Sequence, residues 1–553
     1  MTALKKLQLS RLNFYLFFAL IVIAGVYLRL DQFTLQVLID DEWHAVHQLL
    51  QKSPSELFLS LGHADYSIPL ALLYFVEMKY FGLSELSMRW PMMLAGIASL
   101  LVFPLYLRKI FGDRLVLLFT ALLAISPLLI IYSRMARPYS LTLLLSLLAI
   151  AALYRFADSE YGSWKAAFLY VLTATLSAWL HLLTLPLVFA PFVTLGLMAV
   201  YQRNWRLLSR LFWLGLISGA AMLALLLPPL LAHPQALAAK LGSHSPDLQT
   251  FSGALFLWFG TTTVWVVVTG AFLAAIGFVS LWKKLHILPA ILFGAGITLL
   301  VLLLLQPAWV NHSLTLARYL LVLLPLLLLA TALGVLRLSA WIVAITGRPG
   351  KILLWPMWIL LAGTIATTTP LLKLLAKPNS NSLHVVYQMD FRADHNPITE
   401  YQQNFPVSAF WGKLSSLPAD SLKIAAAPFY FESYNWDAAR WEQRSGQRVM
   451  PAYLSGICDF NRWGEVPNNA SFRFKNVAYA DDIDDLVQRG FDYLVFQKVF
   501  TFQTVRGPAT LGEKTIECEQ KLRDNLPQPN YEDEWLIAFP LSSGATVINN
   551  VKR

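Results

Sequence analysis

The alternation of hydrophobic and polar positions divides the chain into two unequal parts. Up to about residue 375, long apolar runs follow one another, each about as long as a helix that crosses a bilayer of roughly 30 Å. After residue 376, short strand-like runs alternate with amphipathic helix-like segments. The pattern predicts a polytopic α-helical membrane domain (1–375) followed by a soluble α/β domain (376–553).

The apolar runs predict about eleven membrane-spanning helices. They cover roughly residues 13–30, 89–107, 115–132, 138–156, 165–181, 183–201, 208–231, 253–281, 287–305, 317–336 and 352–372. Residues 66–83 are also apolar, but they follow a proline and carry Glu77 and Lys79, so we predict an interfacial helix on the outer surface. The first outer loop then runs from about residue 31 to 87.

Composition and charge agree with a membrane protein and predict its orientation. The chain is 57% hydrophobic and 14% charged, whereas an ordinary soluble domain is about 25% charged. With a cytoplasmic N-terminus, the cytoplasmic loops receive most of the basic residues of the membrane part, as the positive-inside rule requires. An odd number of spans then places the tail outside the cytoplasm. Because that tail is slightly acidic, a nucleic-acid partner is not expected.

Acidic residues gather early in the first outer loop, in the sequence Asp40-Asp41-Glu42. Carboxylates at the mouth of a membrane domain are costly when they are buried without a role. They are interpreted either as a helix cap or as a base that takes a proton from an acceptor hydroxyl. His44 and His47 lie beside them, and could line an acceptor pocket, bind a divalent metal, or simply lie at the surface.

Arginines occur on the same predicted side of the membrane, against the positive-inside trend. Arg134 and Arg137 lie in a short outer loop, Arg318 begins the tenth span and Arg89 begins the second; His181 is a further outer-side candidate. Such arginines either snorkel to lipid headgroups or clamp a phosphate through bidentate hydrogen bonds. Acids and arginines together suit transfer from a phosphate-linked lipid donor, in which a base activates a hydroxyl and guanidinium groups stabilise the leaving phosphate.

These motifs resemble the GT-C superfamily of membrane glycosyltransferases, in particular the branch of protein O-mannosyltransferases and the bacterial lipid A aminoarabinose transferase. Members carry an early Asp-Glu pair, matched by Asp41-Glu42, and a His-Pro-Pro-like stretch followed by an arginine, matched by Gly62-His63-Ala64-Asp65 with Pro69 and then Arg89. A Tyr-Ser-x-x-x-Arg-x-Tyr loop is matched at Tyr132–Tyr139, and an Arg-Tyr followed by leucines and proline at Arg318-Tyr319 through Pro325.

The resemblance covers about residues 1–340 and implies an inverting transfer from a polyprenyl-phosphate sugar to an extracytoplasmic acceptor, in a bacterial inner membrane, without a metal or other cofactor. It implies catalytic roles for Asp41 and Glu42. The donor phosphate would be bound by the outer arginines and a tyrosine, namely Arg137, Arg318, Arg134, Arg89 and Tyr139. Acceptor-side candidates are His44, His63 and Tyr319.

In the tail, the pattern predicts strands at 422–427, 448–454, 491–496, 536–539 and 545–551, and helices at 435–444, 482–488 and 513–525. The two cysteines, Cys458 and Cys518, either pair or remain free. The aromatic stretch at 429–436 is interpreted as a sugar-stacking surface or as domain core. The tail is expected to cover the site or to select the acceptor.

Two other functions fit the pattern. A transporter or flippase for a lipid-linked sugar would place charges or broken helices near the bilayer midplane, whereas the charges here lie at the predicted outer boundary. A ligase or polymerase that uses a diphosphate-linked oligosaccharide would share the outer arginines, so the sequence does not separate it from the first interpretation.

Overall fold

The structure is a computed structural model of the chain. It describes residues 11–31, 33, 38, 42, 45–46, 48–49, 52–61, 67–159, 162–238, 241–242, 244–261, 263–307, 309–346, 407–428, 436–454, 458, 473–474, 478–480, 483–501, 508–510 and 513–542. The predicted eleventh span at 352–372, the predicted boundary at 375–376, the aromatic stretch up to residue 435 and the closing strand at 545–551 lie outside these residues.

The described membrane part is helical throughout. Its helices are α1 (Arg11–Leu30), α2 (Pro54–Leu59), α3 (Ile68–Tyr80), α4 (Glu85–Phe111), α5 (Asp113–Ile125), α6 (Pro127–Ser133), α7 (Tyr139–Asp158), α8 (Trp164–Leu180), α9 (Leu185–Tyr201), α10 (Trp205–Ala232), α11 (Gln235–Ala238), α12 (Leu248–Phe259), α13 (Val264–Lys284), α14 (Leu288–Leu305), α15 (Ser313–Tyr319) and α16 (Leu323–Thr346).

Among the described residues, eight helices are long and apolar enough to cross a membrane, or nine if the bent pair α5–α6 forms one span. The chain is therefore a multi-pass helical membrane protein, as predicted. Helix α8, at the fifth predicted span, has 17 residues. Helix α3 has 13 residues, fewer than the roughly 20 that a span requires, which agrees with the predicted helix at 66–83 that does not cross the membrane.

The predicted span at 115–132 is broken. Helices α5 and α6 meet at Ser126-Pro127 with a bend of 62°. Pro127 has no N–H with which to bond the carbonyl of Leu123, four residues earlier, and its ring opposes a straight helix. The guanidinium of Arg29 instead donates to the carbonyls of Leu123 (3.2 Å) and Ala124 (3.1 Å). Arg29, buried in α1, thus stabilises the bend.

Two further predicted spans are divided. The run at 253–281 forms α12 and then α13, because Gly260 ends α12 in the left-handed region at φ 66°, where glycine is favoured. A Cβ at Gly260 would also lie 2.6 Å from Pro127, so the two breaks contact each other. The run predicted at 317–336 begins as the short helix α15 and continues as α16 only from Leu323.

The helix bundle has two chemically different ends. The end that carries Arg108, Arg210 and Lys284 is called the basic end. There, Arg108 donates to the Tyr15 hydroxyl, Arg210 donates to the Ser159 carbonyl, and Lys284 lies over the Phe111 ring. We call site end the opposite one, where α1 ends, α4 and α7 begin and α8 ends. Arg108, Arg210 and Lys284 belong to segments that the sequence predicts to be cytoplasmic.

At the site end, residues of the first predicted outer loop pack with α3 and α4 in one apolar cluster, the first-loop cluster. Its buried members include Leu38, Ala45, Val46, Tyr74, Met88 and Ala136. Tyr74 in α3 donates to the Met88 carbonyl (2.8 Å), and the indole of Trp90 in α4 donates to Glu77 in α3 (2.7 Å). These bonds hold α3 against the start of α4.

The described tail contains a mixed α/β fold. Its elements are α17 (Ala409–Leu414), β1 (Lys423–Ala427), α18 (Trp436–Ser445), β2 (Arg448–Leu454), β3 (Ala478–Ala480), α19 (Ile483–Gln488), β4 (Tyr493–Gln497), β5 (Val499–Thr501), β6 (Pro508–Thr510), α20 (Glu513–Asn525), β7 (Tyr531–Glu532) and β8 (Leu536–Pro540). Six strands form one sheet in the order β3-β2-β1-β4-β8-β7. Its β3-β2-β1-β4 half is parallel, and β8 pairs antiparallel with β4 and β7.

The predicted strands and helices of the tail that fall on described residues are present, and α17, β3, β7 and the β5–β6 hairpin add to them. Cys458 and Cys518 form a disulfide with a Cα–Cα distance of 5.0 Å, which resolves the two possibilities left open by the sequence. Both sulfurs belong to the apolar core on one face of the sheet, where the bridge ties the chain after β2 to α20.

Candidate functional site

A fully buried ion pair lies at the centre of the site end. Arg89, in the second turn of α4, donates to Glu42 through Nε (2.7 Å) and Nη2 (2.6 Å). Both side chains have no exposed surface. Because two charges in a dry environment are costly unless their geometry is bidentate and their remaining lone pairs are satisfied, this arrangement favours one fixed position for Glu42.

The loop between α6 and α7 completes the surroundings of Glu42. The backbone N–H of Ala136 donates to Glu42 Oε1 (2.7 Å), so the carboxylate joins the first predicted outer loop, α4 and this loop. The neighbouring Arg137 is buried at 4% exposure. Arg134, in the same loop, donates to the Leu28 carbonyl of α1 (3.3 Å) and lies near the Phe33 ring.

Two arginine side chains lie close to the ring of Tyr139, the first residue of α7. The guanidinium carbons of Arg318 and Arg137 lie 5.6 Å and 6.0 Å from its centroid, within the range of cation–π attraction. The His181 ring lies 5.6 Å from the rings of both Tyr139 and Tyr319. Arg137 and Arg318, which lie far apart in the sequence, therefore converge.

Local structure explains how Arg318 and His181 reach this point. His181 follows the last residue of α8, and its N–H still bonds to the Ser177 carbonyl. The ring of His312 accepts the Leu314 N–H (3.3 Å) and so caps α15, whose last turn carries Arg318. The break between α15 and α16 thus leaves Arg318 at a helix end rather than inside a span.

Arg318, His181 and Tyr139 line a cavity. Its described walls come from α7, α9, α14, α15 and the segments that connect them. The polar part of its lining consists of Tyr139, Thr142, Ser146, His181, Thr184, Thr298, Arg318 and Tyr319. Leucines, Ala295 and Val322 supply the remainder. A lining that combines a guanidinium group, hydroxyl groups and apolar side chains suits an amphiphilic molecule with an anionic head.

Burial also alters the electrostatics around the loop that carries Arg137. Loss of solvation lowers the pKa of the Arg134 guanidinium to about 10, and the nearby positive charge of Arg89 acts in the same direction. Arg134 therefore keeps its proton at neutral pH, but its charge is less favourable than that of an exposed arginine. In this loop, cationic side chains are concentrated close to one another.

The sequence-predicted residues divide into three groups. Arg137, Arg318, Tyr139 and Tyr319 come together beside the cavity. Glu42 and Arg89, predicted as a catalytic residue and a phosphate ligand, bind each other, and Arg134 donates to a backbone carbonyl; the roles given to these three residues stay predictions. Asp41, His44 and His63 lie outside the described residues.

Sequence reasoning missed other residues of this region. Thr142 and Ser146 line the cavity from one face of α7, and their spacing of four residues along an apolar run was a signal that could have identified them. Arg29 was read only as part of the first span, although an arginine inside an apolar run is costly enough to indicate a specific partner.

Comparison with known proteins adds likenesses in overall structure. ArnT from Cupriavidus metallidurans bound to undecaprenyl phosphate aligns with a TM-score of 0.48 and 12% identity, over 97% of this chain and 99% of that chain. Its apo state aligns with a TM-score of 0.44 and 11% identity, over 95% and 98%. The oligosaccharyltransferase from Archaeoglobus fulgidus aligns with a TM-score of 0.38 and 12% identity, over 88% and 70%.

No family model matches the chain. No curated protein matches it either.

Proposed function

We propose that the protein is an inverting glycosyltransferase that moves a sugar from a polyprenyl-phosphate donor to an extracytoplasmic acceptor. The observation that carries the proposal is the convergence of Arg137, Arg318 and His181 on the Tyr139 ring at the mouth of a cavity. The buried Glu42–Arg89 pair contacts the loop that carries Arg137, through the backbone N–H of Ala136. A phosphate ligand and a fixed carboxylate are the two parts that this reaction needs.

In this proposal, Arg137 and Arg318 bind the donor phosphate. The bond between the anomeric carbon and the phosphate oxygen breaks, and the phosphate leaves with an additional negative charge. Guanidinium groups already oriented in a largely dry site stabilise that charge without reorganising solvent. Tyr139 orients both arginines through its ring, and its hydroxyl-bearing neighbours along α7 face the same cavity.

The acceptor hydroxyl attacks the anomeric carbon from the opposite face and transfers its proton to a carboxylate. Asp41 is the proposed base. Glu42 is bound by Arg89 and by the Ala136 N–H, so we assign it the role of holding the adjacent Asp41 in place. His44, His63 and Tyr319 remain candidates for the acceptor side. The proposed setting is a bacterial inner membrane, with a cytoplasmic N-terminus and a periplasmic tail.

The proposal is tested by replacing Arg318. We expect Arg318→Ala to lower the kcat/KM of sugar transfer by about 100- to 1000-fold, the loss typical of one transition-state hydrogen-bond donor. Arg318→Lys should recover part of it, since the charge is kept and the bidentate geometry is lost. Arg155→Ala, an exposed arginine at the basic end, is the matched control. Equal activity in Arg318→Ala and Arg155→Ala would remove the phosphate site from the proposal.

Donor identity is tested separately with purified protein and two labelled lipids. We expect sugar to be transferred from polyprenyl phosphate and not from polyprenyl diphosphate. Consumption of the diphosphate donor alone would replace the proposal with a ligase or polymerase. Movement of intact lipid-linked sugar across a vesicle membrane, with no new glycosidic bond, would replace it with a flippase.

A further inference from the structure

The soluble tail contacts the membrane part directly at Arg473 and Phe474. The backbone N–H of Arg473 donates to the carbonyl of Leu83 (2.7 Å), in the turn between α3 and α4. The next side chain, Phe474, is buried at 4% exposure and belongs to the first-loop cluster. An aromatic residue of the tail thus completes an apolar core that is otherwise built by the membrane part.

Described residues before and after this contact belong to the α/β fold of the tail. Arg473 and Phe474 lie in the connection from β2 to β3, two parallel neighbours in the sheet, and a parallel pair needs a long crossover connection. Before the contact, Cys458 is joined to Cys518 of α20; after it, the chain enters β3 at Ala478. Phe474 therefore lies four residues before β3, in a connection that is also joined to α20 through Cys458.

The first-loop cluster also contains sequence neighbours of Glu42 and of Arg89, together with Ala136. Leu38 lies before Glu42 in the sequence, and Ala45 and Val46 follow it. Met88 precedes Arg89, the ion-pair partner, and Ala136 supplies the N–H that binds Glu42 Oε1. Packing that immobilises this cluster therefore also immobilises the Glu42 carboxylate.

We propose that Phe474 is a positioning residue: through it, the soluble tail holds the first loop and its Glu42 in the geometry required at the site. The catalytic part of this inference rests on the proposed function, whereas the docking of the tail does not. Deleting a buried aromatic side chain leaves a cavity that the surrounding chain fills only partly. The loop that packs around Phe474 would then sample open conformations.

Docking is tested without any activity measurement, on the full-length protein. The chain has two cysteines, both in the disulfide, so Ala45→Cys introduces a reporter thiol that is buried in the first-loop cluster. We expect Phe474→Ala to raise the rate of maleimide labelling at position 45 by roughly tenfold or more, and Phe474→Leu to return it towards the original rate. Ile516→Ala, an exposed apolar residue of the tail, is the matched control and should not change it.

The backbone contact has its own matched pair of variants. Arg473→Pro removes the N–H that binds the Leu83 carbonyl, whereas Arg473→Ala keeps it and removes only an exposed side chain. We expect faster labelling in the first variant and unchanged labelling in the second. An unchanged rate in both Phe474→Ala and Arg473→Pro would show that the tail does not hold the loop and would overturn the proposal.

The catalytic part is tested by steady-state transfer with the same variants. We expect Phe474→Ala to lower kcat by roughly 10- to 100-fold, because a small displacement of a catalytic group is sufficient for such a loss. The KM for the donor should change less than kcat, since Arg318 lies outside the first-loop cluster, and Phe474→Leu should restore kcat. Faster labelling with a wild-type kcat would overturn the positioning role. Absence of transfer in the unmodified protein would instead contradict the proposed function and leave the labelling result to decide the docking.

Discussion

Arginines at the two ends of the helix bundle lie in contrasting surroundings. At the basic end, Arg108 pairs with Asp113, and the two side chains remain 23% and 26% exposed. At the site end, Arg89 and Glu42 pair with no exposure at all. Solvated charges interact weakly and cost little, whereas buried charges require a complete set of partners. Burial therefore distinguishes arginines that remain partly solvated from those that require specific partners.

The largest effect that this comparison predicts is on stability. We expect Arg89→Ala to lower the free energy of unfolding by about 3–5 kcal/mol, because it leaves Glu42 charged and buried without its partner. Arg108→Ala, at the basic end, should cost no more than about 1 kcal/mol. Unfolding of the purified protein in detergent measures both. Similar losses in the two variants would show that the ends do not differ in this way.

Replacing both Arg89 and Glu42 separates the loss of the ion pair from the cost of one unpaired buried charge. Arg89→Met combined with Glu42→Leu removes both charges while keeping similar volumes, and such replacements are often neutral for stability. We expect the double variant to recover most of the stability lost in Arg89→Ala but not the transfer activity. Recovered activity would mean that the pair has only a structural role.

A smaller effect separates two arginines of the same loop. Arg134 donates to the Leu28 carbonyl, so Arg134→Met should lower the free energy of unfolding by about 1–3 kcal/mol with little change in the KM for the donor. Arg137, beside the cavity mouth, should show the reverse in Arg137→Met: a higher donor KM and a smaller change in stability. A raised donor KM in Arg134→Met would instead favour the phosphate-binding role first predicted for it.

The smallest effect comes from an ion pair in the soluble tail. Arg523 and Lys498 lower the pKa of Glu532 from 4.5 to about 2. Because the pKa is lower in the folded state, the stabilisation is present above pH 4.5 and is lost as the pH falls towards 2. The glutamate is 38% exposed, so Glu532→Gln should cost less than about 1 kcal/mol at pH 7.

Unfolding measured at pH 7 and near pH 2 tests this prediction, with Glu517→Gln as the exposed control. The difference between Glu532→Gln and the unmodified protein should disappear at the lower pH. A difference of the same size at both values would exclude the carboxylate as its source.

Local patterns of apolar and polar residues predicted much of the architecture. Apolar runs of membrane length predicted the multi-pass helical part, and the order of strands and helices in the tail agrees with the structure. The breaks in three predicted spans were missed, although Pro127 and Gly260 mark two of them. A run of apolar residues has the same average hydropathy whether it is straight or bent, so only the backbone geometry distinguishes the two cases.

For the candidate site, the sequence predicts the residue types and the end of the bundle, because charged groups at a membrane boundary are too costly to occur without reason. It did not assign their partners. Arg89 and Arg318 look alike in sequence, each beginning an apolar run, yet one is bound to Glu42 and the other lies at the cavity mouth.

By itself, then, the sequence determined the membrane class, the helical and strand segments and the candidate polar residues, since these follow from composition and from periodicity between near neighbours. Only the tertiary structure decided that Glu42 binds Arg89, that Arg137 and Arg318 share the Tyr139 ring, and that Phe474 of the tail reaches the first loop. Each of these is a contact between distant parts of the chain, and its energy depends on distances and burial that no local pattern contains.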